Sequence, residues 1–277
     1  IDRTEIISKY GADTLRFSLI NGVAAGSDMR FSDEKIEGAR NFMNKLWNAS
    51  RFVLLNTEDR KILKLSDCKL TIMDRWLLSK LNSMVAAVDE NLATYRIPEA
   101  ARALQEFVDE MSNWYVRRGR ERYWVQELTD DKITAYMTLY TALVTTAKAA
   151  APMIPFMAEN IYQNLVKSVD DNAPISIHLC DYPEVDEKAI DKALEENMDK
   201  VYELGFNYVY LPKGSSNLIA TKKAPALDEI TQEINLDRYC EIKKSVKEVY
   251  GIQKVHVNRS TSSTYGEQFK KLYGKDF

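Results

Sequence analysis

The chain has 277 residues, enough to bury a sizeable core and to form more than one domain. Its residues are 45% hydrophobic and 29% charged, as in ordinary globular proteins, and its formal net charge is −3. It has no apolar run of about eighteen residues or more, which excludes a transmembrane helix, and the charged N-terminal segment argues against a signal peptide. Since residues 181–200 are acidic and residues 241–277 are basic, local charge rather than total charge would attract phosphate.

Residues of the kinds that catalyse reactions or bind metals are few. Cys68, Cys180 and Cys240 are odd in number and far apart, which fits a reducing compartment and offers no zinc spacing. His178 and His256 leave little for acid–base or metal chemistry, and His178 is best interpreted as a packed or surface histidine. We therefore expect a cytoplasmic protein with no catalytic residue and no metal site in this chain.

The first elements are predicted to be helical. Apolar periodicity indicates a short amphipathic helix over residues 4–20, interrupted at Gly11. A long helix follows from Ser32 to Leu55, with Ser32 as its N-cap and acidic residues in its first turn. The pattern therefore places two helical segments before the polar link that covers residues 56–72.

The long helix carries a polar stripe at steps of four and three residues: Glu37, Asn41, Asn44, Asn48 and Arg51. Asparagine is a mediocre helix former, so several on one line require a reason. We favour a buried polar network that fixes how the first helices pack. The alternative is a hydrogen-bonded contact to a nucleic-acid backbone, with Arg40, Lys45 and Arg51 nearby for phosphates.

The stretch Arg102–Trp124 is predicted to be the central helix. Apolar residues recur along it at three- and four-residue steps, and Pro98 and Glu99 suit its first turn. Arginines gather at its far end: Arg117, Arg118, Arg120 and Arg122. Trp114, Arg118 and Arg122 share one stripe, a pattern able to engage phosphates and an unstacked base. A core helix with a solvated basic end explains the same spacing, and the pattern leaves both interpretations open.

Three further helices are predicted, over residues 73–95, 131–149 and 156–166. Long helices joined by short links favour a mainly α, up-and-down bundle. Alternation over Ile175–Cys180 suggests a strand before an acidic helix, and a small α+β appendage is expected at the C-terminus. The predicted domains are a connector (1–31), the bundle (32–170), the strand and acidic helix (171–204) and the appendage (205–277).

The segment SNWYVRRGRERYW (residues 112–124) resembles a signature of isoleucyl-tRNA synthetases, where it lies on a long helix of the anticodon-binding bundle. MDRWLLSKLN and LYTALVTTAKAAAPMIPFMAENIYQNLV are similar to the same family. DMRF and RNFMNKLWNASRFVL, near the start, look more like valyl-tRNA synthetases. The likeness fails after about Leu204, where the residues from Gly205 to Pro225 are typical of a linker, and the tail (EIKKSVKEVYGIQKVHVNRS and FKKLYGK) regains only a faint likeness.

The resemblance implies a C-terminal, anticodon-binding fragment of a class I aminoacyl-tRNA synthetase. By the same resemblance, the whole enzyme joins isoleucine to its tRNA with ATP and Mg²⁺. Neither the Lys-Met-Ser-Lys-Ser loop nor the His-Ile-Gly-His motif of that family occurs in this chain. The expected partners are therefore tRNA and the catalytic domain of a longer polypeptide, with no membrane. A valyl-tRNA synthetase fragment and a non-catalytic helical protein-interaction module are the alternatives.

The same resemblance suggests how tRNA would be bound. Arg117, Arg118, Arg120 and Arg122 would contact the anticodon loop, with Trp114 or Trp124 as the surface on which a base stacks. Phosphate contacts orient a nucleic acid without reading its sequence. That second role, on the stem backbone, is expected of Arg40, Lys45 and Arg51.

Overall fold

The structure is a computed structural model that describes residues 3–22, 32–56, 65–204, 208–212, 219–221, 230–234 and 256–257. The chain forms two compact units: Ile1–Leu70 with Leu77–Ile190, and Thr71–Trp76 with Asp191–Phe277. The division into four domains expected from the sequence stays a prediction. No helix among the described residues is both long enough and apolar enough to cross a membrane.

Helices dominate the part of the chain that the structure describes, which confirms the predicted mainly α class. They are α1 (Arg3–Tyr10), α2 (Ala12–Ile20), α3 (Asp33–Asn56), α4 (Ile72–Ala93), α5 (Ile97–Glu110), α6 (Arg120–Trp124), α7 (Asp130–Ala150), α8 (Pro155–Tyr162) and α9 (Lys192–Leu204). π-helical turns follow α5 and α8, at Met111–Val116 and Gln163–Lys167, and 3₁₀ turns lie at Leu65–Asp67, Ile177–Leu179 and Glu187–Ala189.

Contacts between side chains set the directions of the first unit's helices. The Lys45 ammonium lies 2.7 Å from the Asp109 carboxylate, and further along both segments the Phe52 ring meets the Tyr123 ring. Helix α3 therefore runs in the same direction as α5 and α6. Tyr123 also contacts Tyr136, near the start of α7, so α7 runs back along the bundle. The C-terminal end of α3, the whole of α6 and the start of α7 thus lie together, and we call this region the α6 end.

Helix α2 ties the opposite end of the bundle together. The Phe17 ring is fully buried and stacks on Phe42 of α3, with ring centroids 4.4 Å apart. The Asp13 carboxylate accepts a 2.6 Å hydrogen bond from the backbone N–H of Met157, in the first turn of α8. Such N–H groups have no acceptor inside their own helix, so a carboxylate there stabilises the helix start. Arg16 donates to the backbone carbonyl groups of Pro152 and Met153, which precede the same helix.

Two local predictions near the start of the chain are confirmed. The first helical segment is broken at Gly11, whose φ of 89° lies in the region that favours glycine. Ser32 accepts a hydrogen bond from the backbone N–H of Lys35, at 3.4 Å, as an N-cap does.

The strand predicted over Ile175–Cys180 is wrong, because Ile177–Leu179 forms a 3₁₀ turn. The Glu159 side chain accepts a hydrogen bond from the Ile177 N–H (2.9 Å), a backbone group that a strand would use to pair with its neighbour. The same carboxylate also accepts from the Ser176 hydroxyl (2.8 Å). Burial acts to raise the pKa of Glu159, but these bonds and one from Gln163 hold it below its ordinary value. Alternation of apolar residues here reflects one buried residue, Ile177, rather than pairing in a sheet.

The second unit contains α9 and a small sheet. The Asp191 carboxylate caps α9 by accepting from the backbone N–H of Leu194 at 2.9 Å. The strands β1 (Tyr208–Pro212), β2 (Ile219–Thr221), β3 (Ile230–Ile234) and β4 (His256–Val257) form a sheet in the order β3-β1-β2-β4. Strand β1 is antiparallel to β2 and β3, and β2 is parallel to β4. Most of the linker predicted from Gly205 to Pro225 lies outside the described residues.

Asp13 predicts a pH dependence of stability. Burial raises the pKa of this carboxyl, although hydrogen bonds from the Met157 and Phe156 N–H groups act against that effect. Because the pKa of Asp13 is higher in the folded than in the unfolded protein, the stabilisation that arises from this difference is complete below the ordinary carboxyl pKa. It is lost as pH rises through the pKa of the folded state. Asp13→Asn should remove this titration. The wild-type free energy of unfolding minus that of the variant should therefore fall as pH rises above the ordinary carboxyl pKa of about 4.

Urea unfolding followed by circular dichroism at a series of pH values measures that difference. A difference that stays constant, or that increases with pH, would contradict the assignment.

Candidate nucleic-acid interface

The predicted central helix is not continuous. Regular α-helix ends at Glu110, a π-helical turn covers Met111–Val116, and Gly119 separates this segment from α6. A Cβ atom at Gly119 would lie 3.0 Å from the backbone carbonyl oxygen of Tyr115, which accepts a 2.9 Å hydrogen bond from the Gly119 N–H. That hydrogen bond is of the ordinary helical kind, and the helix is interrupted at Gly119 itself, where φ is −76° and ψ is 0°. The π-helical turn and Gly119 interrupt the helical period on which the predicted stripe of Trp114, Arg118 and Arg122 was based.

Arg122 is held by a carboxylate of the next helix. Its Nε lies 3.0 Å from one oxygen of Asp131 and 3.1 Å from the other, and its Nη2 donates to Oδ1 at 2.8 Å. The Arg122 side chain is only 16% exposed. A paired guanidinium of this geometry is fixed in place, and its charge is largely compensated. Arg122 therefore contributes little to a cationic surface.

Trp114 lies in the core, where its exposed fraction is 2%. The Arg118 guanidinium carbon is 5.3 Å from the centre of the Trp114 ring, at the distance of a cation–π contact. The stacking role considered for Trp114 is therefore wrong, since a base cannot reach a ring that is covered by the protein.

Arg117, Arg120 and Trp124 face solvent at the α6 end. Both arginines are exposed, and 62% of the Trp124 residue is exposed. Within the residues that the structure describes, Arg117 and Arg120 have no ion-pair partner. Arg51 is exposed as well and directly precedes Phe52, whose ring contacts Tyr123 of α6 at 4.9 Å. The α6 end thus combines three solvent-facing guanidinium groups with one solvent-facing indole.

The other two cations predicted on α3 lie in different surroundings. Lys45 is 2.7 Å from Asp109 of α5, and the two side chains are 31% and 40% exposed. The Arg40 guanidinium is exposed but lies 5.7 Å from the centre of the Tyr10 ring. Arg40 is eleven residues before Arg51, about 16 Å along the helix. The three residues expected to contact a stem backbone are therefore spread along α3, and one of them is already paired.

The polar stripe of α3 is exposed along its whole length, at Glu37, Asn41, Asn44, Asn48 and Arg51. The buried polar network that we favoured from the sequence is therefore wrong. The core side of α3 is formed instead by apolar residues, among them Ile36, Phe42 and Leu46.

Tyr123 explains why α6 keeps its position. Its ring makes edge contacts of 4.9 Å with both Phe52 and Tyr136, and its hydroxyl donates to the Ala135 carbonyl at 3.2 Å. Burial also raises the pKa of Tyr136 to about 12, which reflects the water-poor surroundings of this cluster. Sequence patterning indicated neither these contacts nor Asp131, because the partners belong to other helices. It also did not identify Val125 and Leu128, which are 44% and 60% exposed beside Trp124 in the sequence.

Comparison with known proteins gives a consistent result. Residues 74–205 match the model of the family described as the anticodon-binding domain of tRNA ligase. The chain is 43% identical, over 253 residues, to an isoleucine–tRNA ligase of Clostridium novyi, a match that covers 86% of this chain and 24% of that protein. It is 39% identical to the enzyme of the same name from Clostridium acetobutylicum, over 99% of this chain and 27% of that protein.

These alignments bear on two expectations. A match that includes 99% of the chain takes in both its valyl-like start and its last seventy residues or so. The likeness therefore continues past Leu204, contrary to the expectation from the sequence. The chain spans about a quarter of the length of these curated relatives.

Solved structures support the fold alone. The leucyl-tRNA synthetase in a ternary complex from Agrobacterium radiobacter K84 matches with a TM-score of 0.52 and 12% identity, over 89% of this chain and 26% of that chain. The apo methionyl-tRNA synthetase of Mycobacterium tuberculosis matches with a TM-score of 0.50 and 18% identity, over 59% of this chain and 34% of that chain.

Trp114 and Trp124 should contribute very unequally to the stability of the protein, because only Trp114 is buried. Trp114→Ala removes a buried ring and should lower the free energy of unfolding by about 3–5 kcal/mol. Trp124→Ala removes an exposed ring and should change it by no more than about 0.5 kcal/mol. Urea denaturation of both variants, compared with the wild type, measures the two values. If both variants lose a similar amount of unfolding free energy, Trp124 is not exposed as described.

Proposed function

The chain belongs, through residues 74–205, to the anticodon-binding domains of tRNA ligases, and from that premise we propose that it binds tRNA as the anticodon-binding region of an isoleucine–tRNA ligase. The names of its relatives support isoleucine as the amino acid of the longer enzyme, since a match called isoleucine–tRNA ligase covers 99% of the chain. The ligation reaction, with ATP and Mg²⁺, is assigned to the part of the longer polypeptide that this chain does not contain.

The observation that carries the proposal is the α6 end of the bundle. Arg117, Arg120 and Arg51 present guanidinium groups to solvent there, and Trp124 presents an indole. Guanidinium groups bind phosphate oxygens in a bidentate manner, and they release counterions when they do so. An exposed aromatic ring offers a face to an unpaired base, as in other proteins that bind single-stranded loops.

The roles follow from these surroundings. Arg117 and Arg120 would bind the phosphates of the anticodon loop, and Trp124 would stack on one of its bases. Arg51 would bind a phosphate where the loop joins its stem. Arg118 and Arg122 would act indirectly, since one lies over the Trp114 ring and the other is fixed by Asp131. Their roles would be to shape the segment on which the binding residues lie.

Removing the two exposed charges should weaken binding through electrostatics. The double variant Arg117→Gln/Arg120→Gln should bind an isoleucine tRNA transcript less tightly at low salt. The slope of log affinity against log salt should become shallower by about 1.4–1.8, because each phosphate contact contributes about 0.7–0.9. Fluorescence anisotropy titrations at several salt concentrations measure both quantities.

Arg102→Gln is the matched control, because it removes an exposed arginine of α5, 3.6 Å from Glu99, to which no contact with RNA is assigned. Its salt slope should equal that of the wild type. Equal slopes in the wild type and the double variant would remove Arg117 and Arg120 from the interface.

Trp124 should contribute to affinity without contributing to the salt slope. Stacking on a base is worth about 1–3 kcal/mol, so Trp124→Ala should bind the same transcript about 5-fold to 150-fold more weakly at constant salt. Trp124→Phe keeps an aromatic face and should recover most of the loss. If the alanine variant binds as tightly as the wild type, the indole does not contact the RNA.

A further inference from the structure

Asn21 is the only asparagine in the sequence that is followed by a glycine, Gly22. Asparagine is a thermolabile residue, because the backbone nitrogen of the next residue can attack its side-chain carbonyl carbon. A side chain on that next residue obstructs the attack, and glycine has none. Of all the asparagines in the chain, Asn21 therefore meets the least obstruction to this reaction.

The backbone N–H of Gly22 is available to react. Helix α2 ends at Ile20, and the Asn21 N–H makes its final hydrogen bond, to the Phe17 carbonyl at 2.9 Å. Among the residues that the structure describes, the N–H of Gly22 has no hydrogen-bond acceptor. An N–H inside a helix is held by the carbonyl group four residues earlier, and that of Gly22 is not. Asn21 and Gly22 are both partly exposed, so water reaches the pair.

The side chain of Asn21 is held by α5. Its Nδ2 donates a 2.7 Å hydrogen bond to Oε1 of Gln105, and Nδ2 is the atom that must leave as ammonia. The ψ angle of Asn21 is −7°, which places the Gly22 nitrogen beside the backbone nitrogen of Asn21 and not beside its side chain. Ring closure therefore needs rotation about the Cα–C bond of Asn21 and release of its amide group from Gln105.

We propose that Asn21 is a site of spontaneous deamidation and that its hydrogen bond to Gln105 sets the rate. The Gly22 nitrogen loses its proton and bonds Cγ of Asn21, the bond from Cγ to Nδ2 breaks, and Nδ2 leaves with that proton as ammonia. Water then opens the cyclic imide. Addition of water at Cγ gives aspartate, and addition at the backbone carbonyl carbon gives isoaspartate. The inference is independent of the proposed function.

Deamidation changes the contact between α2 and α5. A carboxylate has no proton to donate to Gln105, but the Gln105 amide is able to turn and donate to the carboxylate, so the aspartate product keeps one hydrogen bond. Isoaspartate instead adds one carbon atom to the main chain at the end of α2. Phe17 and Asp13 of the same helix contact α3 and α8, so the altered residue directly follows the element that ties this end of the bundle together.

Incubation of the full chain at mildly alkaline pH, followed by trypsin digestion and mass spectrometry, tests the site. Trypsin releases residues 17–30 as one peptide, in which Asn21 is the only amide side chain. The mass of this peptide should rise by about one dalton, faster than that of any other peptide that contains asparagine. Liquid chromatography separates the aspartate and isoaspartate forms, and both should be present.

Gln105→Ala tests the role of the hydrogen bond. Alanine suits the helix, and the loss of one hydrogen bond of ordinary strength should make deamidation of the folded chain about 2-fold to 12-fold faster. Gln105→Glu keeps an acceptor for Nδ2 and should react no faster than the wild type. The matched control is Gln126→Ala, which removes an exposed glutamine between α6 and α7 and should leave the rate unchanged.

Two further measurements separate the chemistry from a general loss of structure. In concentrated urea, where the contact with α5 is absent, wild type and Gln105→Ala should react at the same rate. Gly22→Ala should lose most of the product, because its Cβ atom obstructs the attacking nitrogen.

Three results would overturn the inference. The first is a peptide 17–30 that keeps its mass while other asparagine peptides change. The second is the same rate in the folded wild type and in folded Gln105→Ala. The third is full product in Gly22→Ala, which would show that the backbone nitrogen is not the attacking group.

Discussion

The contact of Tyr123 with Phe52 and Tyr136 determines where the exposed arginines lie. Helix α6 has only five residues, too few to be stable alone in water. Its position comes from one buried ring that meets α3 on one side and α7 on the other. Aromatic edge contacts of this kind contribute beyond the burial of apolar surface. Arg120 and Trp124 lie on the same short helix as Tyr123, so the exposure of both depends on this anchor.

Surroundings, rather than residue type, divide the predicted binding residues into two groups. Lys45 and Arg122 meet a carboxylate of a neighbouring helix, and pairing leaves little net charge at those points. Arg51, Arg117 and Arg120 face water with no such neighbour among the described residues. A net charge of −3 is therefore compatible with a local cationic region. Glu121, Glu127 and Asp130 are also exposed and lie close to these arginines in the sequence, which limits the local excess of positive charge.

The sequence predicted the bundle well because helix formation leaves a local signal. Apolar spacing marked α3, α4 and α7, and Ser32 marked the start of α3. The strand predicted over Ile175–Cys180 was wrong because the Ile177 N–H donates to the Glu159 side chain of α8 and not to a neighbouring strand. The alternation of apolar residues does not reveal that contact. The exposure of the polar stripe of α3 was not predicted for a related reason. A polar line on a helix shows which residues share a face, but the neighbouring helices decide whether that face is covered.

The π-helical turn at Met111–Val116 has a consequence for chain length. A π turn holds one residue more than an α turn, so it advances the following segment by about 100° about the axis. Deleting a single residue there would restore a regular helix and rotate Arg117 away from its present azimuth. The site thus depends on the rotation of this segment about the helix axis as well as on which residues it contains. Two sequences with identical arginines, differing by one position in this turn, would present them to different sides of the molecule.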